Sequence, residues 1–398
     1  MNNRQALENI KVLDLSRVLA GPYATMLLAD MGAEVIKIES PKTGDDSRAF
    51  GPYLEGESAY FMSINRNKKS ITLNLKSEEG KKIFWDLVKK CDVLVENFRP
   101  GTMEKLGFGY EEIKKVNPGM IYAAASGFGH SGPYSKRPAY DAVVQAMGGI
   151  MSITGPKEGP MSRVGASIGD IGAGLFTAIG ILAALNYRNL TGIGQKVDVA
   201  MLDCQVAMLE NAISRYLISG VLPKPAGNRH TSITPFEPFT TSDGEIMIAA
   251  GNDVLYRKLM EFIGGEEYIS DPRFIDNPKR TENIEMLKPI IDELTAKKTT
   301  KEWQDILDAA GVPNGPINTV DKVIEDSQVN ARNMIVEIEH PVAGKTKIPG
   351  VAIKMSETQG QVHSPAPILG QHTDEILKDF LGYSENEIQK LHSTENLF

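Results

Sequence analysis

The feature that most constrains this chain is the rhythm of its first 125 residues, in which short apolar runs alternate with helix-length segments. Val12 to Leu15, Glu34 to Ile38, Val93 to Glu96 and Ile121 to Ala124 read as strands, and Tyr23 to Met31 and Glu78 to Lys90 as helices. Strands joined through helices run parallel, so the pattern predicts βαβ units and an α/β fold with a largely parallel sheet. Ala20-Gly21-Pro22 opens the first helix just after a strand, a place where free backbone N–H groups can face an anion. No G-x-G-x-x-G follows that strand, and Gly21 and Gly32 lie too far apart, which argues against NAD.

Gly169 to Asn186 is rich in Ala, Ile, Leu and Gly with hardly a charge, which predicts a helix buried on nearly all sides. Met201 to Ser219 reads as a second long helix, ended by Gly220 and followed by the Pro/Gly-rich Leu222 to Gly227, where a domain boundary is expected. Beyond it, Thr240 to Glu245 forms a hairpin turn into a strand, Ile246 to Ala250. Helices are expected at Val254 to Phe262, Asn283 to Ala296 and Thr300 to Ala310, making a small α+β domain that ends near Gly311 to Pro316. A helix over Val320 to Asp326 and strands over Met334 to Glu339 and Thr346 to Ile348 then lead to a polar tail.

Composition narrows the function classes. A net charge of -8 argues against a nucleic-acid partner. Locally, Arg66-Asn67-Lys68-Lys69 reads either as a solvated hairpin rim or as a holder of a small phosphorylated ligand. The two cysteines, Cys91 and Cys204, sit in apolar settings far from partners, so neither a disulfide nor zinc is expected. The longest apolar run, Leu175 to Leu185, falls short of the roughly 20 residues of a bilayer crossing, and Met1 to Gln5 lead into a strand without a leader-like segment. The expectation is a cytoplasmic protein with no membrane partner.

Asp170 is the outlier of Gly165-Ala166-Ser167-Ile168-Gly169-Asp170-Ile171-Gly172, a lone carboxylate among small residues at the start of the apolar helix. It reads as a helix N-cap, and equally as a nucleophile that the helix terminus keeps ionised and that flanking glycines let a thioester approach. Tyr140-Asp141, entering another helix, is either a cap or the edge of a binding site. None of His130, His230, His340, His363, His372 and His392 has a metal-site spacing, and most read as surface residues.

Several ordered motifs carry a resemblance. They are Ala20-Gly21-Pro22, Gly32-Ala33-Glu34-Val35-Ile36-Lys37-Ile38-Glu39, Asn67-Lys68-Lys69-Ser70-Ile71, Val95-Glu96-Asn97-Phe98-Arg99-Pro100-Gly101, Gly169-Asp170, Gly192-Ile193-Gly194-Gln195-Lys196-Val197 and Leu369-Gly370-Gln371-His372-Thr373-Asp374-Glu375. Together they resemble the family III CoA-transferases, the group of formyl-CoA transferase and carnitine CoA-transferase. The resemblance implies a Rossmann-like large domain built from both chain ends (residues 1–220 and 330–398), with a small α+β domain (226–325) inserted through linkers 221–225 and 326–329. It also implies an interlocked homodimer. Asp170 matches the family's catalytic aspartate, which attacks the acyl-CoA carbonyl to give a mixed anhydride and then an aspartyl-CoA thioester. CoA is substrate and product, no cofactor is tightly bound, and the partner substrate is a small carboxylic acid. Ala20, Leu73, Lys76, Asn97, Phe98, Lys105 and Arg137 match CoA-contacting positions.

The sequence departs from formyl-CoA transferase at Leu19, where that enzyme has glutamine, and at Lys105, where it has arginine. It also lacks the four-glycine loop, with Gly227-Asn228-Arg229-His230 and Thr234-Pro235-Phe236-Glu237 in that region. Formyl-CoA and oxalate are therefore not the expected substrates; an acetyl or succinyl donor is. The similar 2-methylacyl-CoA racemases supply the rival reading. They place a histidine where Tyr140 stands, and a tyrosine with an ordinary pKa of about 10 is a poor proton-transfer partner at neutral pH. Glu237 keeps that rival open, since racemases have a glutamate in a similar setting. A CoA-binding protein without catalysis is the third reading, against which the intact Gly169-Asp170 speaks.

Overall fold

The computed structural model describes residues 4–393, so Met1 to Asn3, on which the leader-free reading drew, lie outside the described residues. Two compact units emerge. The first comprises the chain through Ile150, Arg163–Gly220 and everything from Ser327 onward; the second comprises Met151–Ser162 and Val221–Asp326. Residues 151–162, read from sequence as part of the large domain, group with the second unit instead. There the Gly155 carbonyl accepts from the Gly227 amide and Lys157 pairs with Glu285 at 2.6 Å.

The first unit holds a six-stranded sheet: β1 Lys11–Asp14, β2 Glu34–Glu39, β3 Lys68–Thr72, β4 Val93–Glu96, β5 Ile121–Ser126 and β6 Lys196–Ala200. The spatial order is β3-β2-β1-β4-β5-β6, with every pair parallel. This is the doubly wound order of nucleotide-binding sheets. Strand alternation sorts the core into two faces. Leu13, Ile36, Ile71 and Leu94 pack on one side with Ile83, Phe84 and Leu87 of helix α2 (Glu78–Val88). Val12, Val35, Val93, Val95 and Ile121 pack on the other with Leu28 of helix α1 (Ala20–Asp30) and Ile181 and Leu185 of a later helix.

That later helix follows α3 (Asp141–Met147) and is α4, Ile168–Thr191, 24 residues long. It extends beyond the apolar run read from sequence at both ends, over residues 168–174 and 186–191, where no proline interrupts it. Over its most apolar 18 residues the mean hydropathy is 1.9, so it is long and apolar enough to cross a membrane by length and composition, and half of that stretch is buried. The expected single helix after β6 is two: α5 Met201–Met208 and α6 Asn211–Ser219. Glu210, with φ at 54°, interrupts the helical path, and no Gly or Pro marks the break.

Strand β3 lies at a sheet edge, where unpaired backbone groups need cover. The returning C-terminal segment supplies it. Asn67 Oδ1 accepts from the amides of His363 (2.8 Å) and Ser364 (3.0 Å), and the His372 amide donates to the Ser70 carbonyl at 2.9 Å.

In the second unit, β7 (Phe236–Thr241), β8 (Gly244–Ala249) and β9 (Asn314–Pro316) make an antiparallel sheet in the order β9-β8-β7. The Pro/Gly-rich segment expected to close this domain thus contributes a strand: Asn314 and Pro316 pair with Ile248 and Ile246. Three amphipathic helices, Asp253–Ile263, Ile284–Thr295 and Thr300–Ala310, cover it. Phe239, Ile248, Leu259, Ile291, Trp303 and Leu307 form its core.

Candidate active site

The loops leaving β1 and β4 sit side by side where the strand order reverses, the place at which open parallel sheets bind ligands. A cavity of about 200 Å³ opens there, lined by Val18, Leu19 and Ala20 after β1, Asn97 to Pro100 after β4, and Arg137, Tyr140 and Asp170. An adjoining cavity of about 330 Å³ shares Arg17, Asp46 and Phe98 with it and adds Leu73 and Lys76. Of the residues matched to CoA contacts, Ala20, Asn97, Phe98 and Arg137 line the first, and Phe98, Leu73 and Lys76 the second. Lys105 lines neither and lies exposed on the short helix Thr102–Leu106.

Charges buried beneath the cavity hold its β1 loop. Asp14, at the end of β1, accepts from the Ser16 amide at 2.9 Å and from Thr25 Oγ1 at 2.6 Å, and pairs with Lys68 at 3.1 Å. Lys37 pairs with Asp45 at 2.8 Å and donates to the Ser16 carbonyl. Asp45 in turn accepts from the Val18 amide at 3.0 Å. Val18 needs that restraint, because its φ of 66° is strained for a β-branched residue. Burial works against these carboxylates, yet Lys68 and Lys37 outweigh it at Asp14, whose pKa falls below the ordinary range. Lys68, in the opposite sense, is drawn down to about 8 by burial. The cluster Arg66-Asn67-Lys68-Lys69 is therefore neither a solvated rim nor a phosphate holder. Arg66 is buried against Asp30 at 2.7 Å, Lys68 against Asp14, and Lys69 pairs with Glu34 and Glu375.

Asp170 is not the cap of α4. Ser167 occupies that position without a side-chain bond, and Asp170 lies in the first turn. Nor does the helix terminus keep its charge at ordinary acidity. Burial, and then the neighbouring Asp141 carboxylate, push the Asp170 pKa up to about 7. Asp141 does not cap its own helix either: its Oδ1 accepts from the Gly169 amide at 2.8 Å and its Oδ2 from Gln145 Nε2 at 2.8 Å. Gln145, fully buried, accepts from the Val164 amide at 2.8 Å. These two side chains of α3 tie down the segment that delivers Asp170. Gly169 is required at this junction, since a Cβ there would meet Val144 Cγ2 at 2.8 Å and Asp141 Oδ1 at 3.0 Å.

Tyr140 borders the cavity with its side chain 79% exposed. Glu237 belongs to β7 of the second unit, buried, with Oε1 lacking a hydrogen-bond partner and its pKa raised by burial. Sequence reasoning missed Gln145 and the buried pairs under the β1 loop; for the pairs, the acidic residues at the C-terminal ends of β1, β2 and β4 (Asp14, Glu39, Glu96) were the available signal. The histidines are mostly not surface groups: His340 is buried, His130, His230 and His372 are half-buried, and His363 and His392 are exposed. Both cysteines are buried and free. Among the described residues no group of three or more His, Cys, Asp or Glu side chains is placed to hold a metal.

Comparison with known proteins agrees with this geometry. The family model for CoA-transferase family III matches residues 7–373. Succinyl-CoA:glutarate CoA-transferase of Mus musculus is 42% identical over 98% of this chain and 90% of that protein. Acetyl-CoA:oxalate CoA-transferase of Acetobacter aceti is 43% identical over 94% of this chain and 95% of that protein. The crystal structure of a CAIB/BAIF family protein from Brucella suis superposes with a TM-score of 0.85 at 39% identity, covering 94% of this chain and 99% of that one. With an aspartate at the switch point of a doubly wound sheet and a family match across almost its whole length, this chain is an enzyme that belongs to CoA-transferase family III.

Proposed function

We propose that this enzyme moves CoA from an acyl-CoA thioester to a free carboxylic acid by covalent catalysis on Asp170. The observation that carries this reading is the position of the Asp170 carboxylate, half-buried at the first turn of α4 and facing the cavity at the sheet's switch point. The ionised carboxylate attacks the thioester carbonyl and expels CoA thiolate, leaving a mixed anhydride. The thiolate then attacks the Asp170 side-chain carbonyl, releasing the donor acid and forming an aspartyl-CoA thioester. The acceptor carboxylate reverses these two steps with a new acyl group, which regenerates Asp170. Each intermediate is open to hydrolysis, so the half-buried setting that raises the Asp170 pKa also limits water at the reacting carbon.

The CoA reading of the two cavities is supported by Arg17, Lys76, Arg99 and Arg137 on their walls, cations suited to phosphates and to a second carboxylate. Relatives named for succinyl-CoA with glutarate and acetyl-CoA with oxalate favour a succinyl or acetyl donor and a small dicarboxylic acceptor. The second of them returns oxalate to the candidates. The test is mass spectrometry of CoA esters after incubation in heavy water with succinyl-, acetyl- and 2-methylacyl-CoA and a panel of carboxylic acids. New CoA esters free of α-deuterium are expected; an unchanged thioester carrying α-deuterium would instead mean isomerisation.

The same reading includes a homodimer. Ile179 and Leu190 of α4 are 60% and 79% exposed, and Leu217 and Ile218 of α6 are 75% and 88% exposed, an apolar surface suited to a second copy. Light scattering at micromolar concentration is expected to give twice the 43.5 kDa chain mass; a monomer mass would rule the dimer out.

A further inference from the structure

At the end of β4, next to the cavity, Glu96 is 2% exposed. Two donors hydrogen-bond to it, and a histidine stands beside it. Its Oε2 accepts from the Phe98 amide at 2.7 Å, its Oε1 from the Tyr122 hydroxyl at 3.3 Å, and His130 Nε2 stands 3.7 Å from Oε1. Lys196 Nζ lies 2.9 Å from His130 Nδ1. An ammonium only donates, so Nδ1 accepts and the ring proton sits on Nε2, directed at Glu96. That Nε2 is buried and makes no hydrogen bond.

What Glu96 holds is the turn that begins one residue later. Asn97 grips the β1 loop at two points: its Oδ1 accepts from the Arg17 amide at 2.8 Å and its Nδ2 donates to the Arg17 carbonyl at 2.7 Å. The Arg17 guanidinium lies over the Phe98 ring, 5.2 Å from its centroid. We infer that Glu96 is a positioning residue: its carboxylate fixes the Asn97-Phe98 turn, and through Asn97 the Arg17 to Ala20 loop, in the shape that receives CoA. This rests on the CoA reading of the cavity. Burial raises the Glu96 pKa to about 7 against the bonds from Phe98 and Tyr122. Glu104, on the short helix beyond the turn, is the other charge that faces it.

The test is calorimetric titration of the full-length enzyme with CoA. Glu96→Ala is expected to weaken CoA binding by at least about tenfold, because the Phe98 amide loses its acceptor. Glu96→Gln, whose carbonyl still accepts from Phe98 while its amide faces the Tyr122 hydroxyl, is expected to stay within about threefold of wild type. A merely structural role would lower the unfolding midpoint without separating the two variants in affinity, and that result overturns the inference. Wild-type affinity in Glu96→Ala overturns it too, leaving the CoA reading intact; no CoA binding by wild type overturns both. Hydrogen exchange of the wild-type enzyme covers the case in which Glu96→Ala does not fold. The Phe98 amide is expected to exchange slowly before CoA is added, and fast exchange there would overturn the preformed turn.

Discussion

Asp170→Ala should lose at least about a thousandfold in CoA exchange while binding CoA within about threefold of wild type, as expected when a nucleophile rather than a binding group is removed. The separation is expected because the cations and most apolar walls of the two cavities come from the end of β2, the loops after β1, β2, β3 and β4, and the Arg137 segment, not from α4. Residual exchange near the wild-type rate would refute covalent catalysis on this residue. The wild-type pH profile supplies an independent check. Attack needs the ionised carboxylate, and burial together with Asp141 raises the Asp170 pKa to about 7. Turnover should therefore hold above neutrality and fall by about tenfold per pH unit below it. Asp141→Asn removes one of the two causes, so the acid limb should move to lower pH, though not back to the ordinary carboxylate range, because burial is the larger cause.

Lys37→Met should be the most destabilising single change near the site. Lys37 is fully buried and pairs with Asp45, and its pKa is raised because Asp45, Asp14 and Glu39 outweigh the burial that would lower it. Removing it strands the Asp45 carboxylate where water cannot reach it, a change that typically costs about 3–5 kcal/mol and, for a unit of this size, corresponds to roughly 5–8 °C in the unfolding midpoint. Adding Asp45→Asn should recover part of that loss, because the second change removes the stranded charge. A midpoint within about 2 °C of wild type for Lys37→Met, by differential scanning calorimetry, would show that the pair does not hold the β1 loop.

How much of this was legible in the sequence depends on where each signal lay. Strands such as Val93 to Val95 and Ile121 to Ala124 announce themselves because both faces of a parallel sheet are covered and their side chains are apolar almost without interruption. Strand β3 does not, because it opens with Lys68 and Lys69, whose charges are compensated by Asp14, Glu34 and Glu375 from distant parts of the chain. The break at Glu210 is likewise invisible to local propensity. In the site, Asp170 stood out as a lone charge among small residues, but its first-turn position and raised pKa depend on Asp141, which reaches Gly169 from another helix. Gln145 carried no local signal, since a buried amide looks like surface polarity until its partners are placed.

The return of the C-terminal segment to the β3 edge has a consequence for biosynthesis. Every residue of the second unit has been synthesised once Asp326 is added, so the insert can close as it leaves the ribosome, while its host is still incomplete. The host cannot. Its edge strand waits for His363, Ser364 and His372 to emerge, with Asn67 bonded to a residue 297 positions away. The nascent large unit thus spends the last stretch of translation with one side of its sheet open, and the final turns of the chain act as the stitch that ends its exposure to other nascent strands.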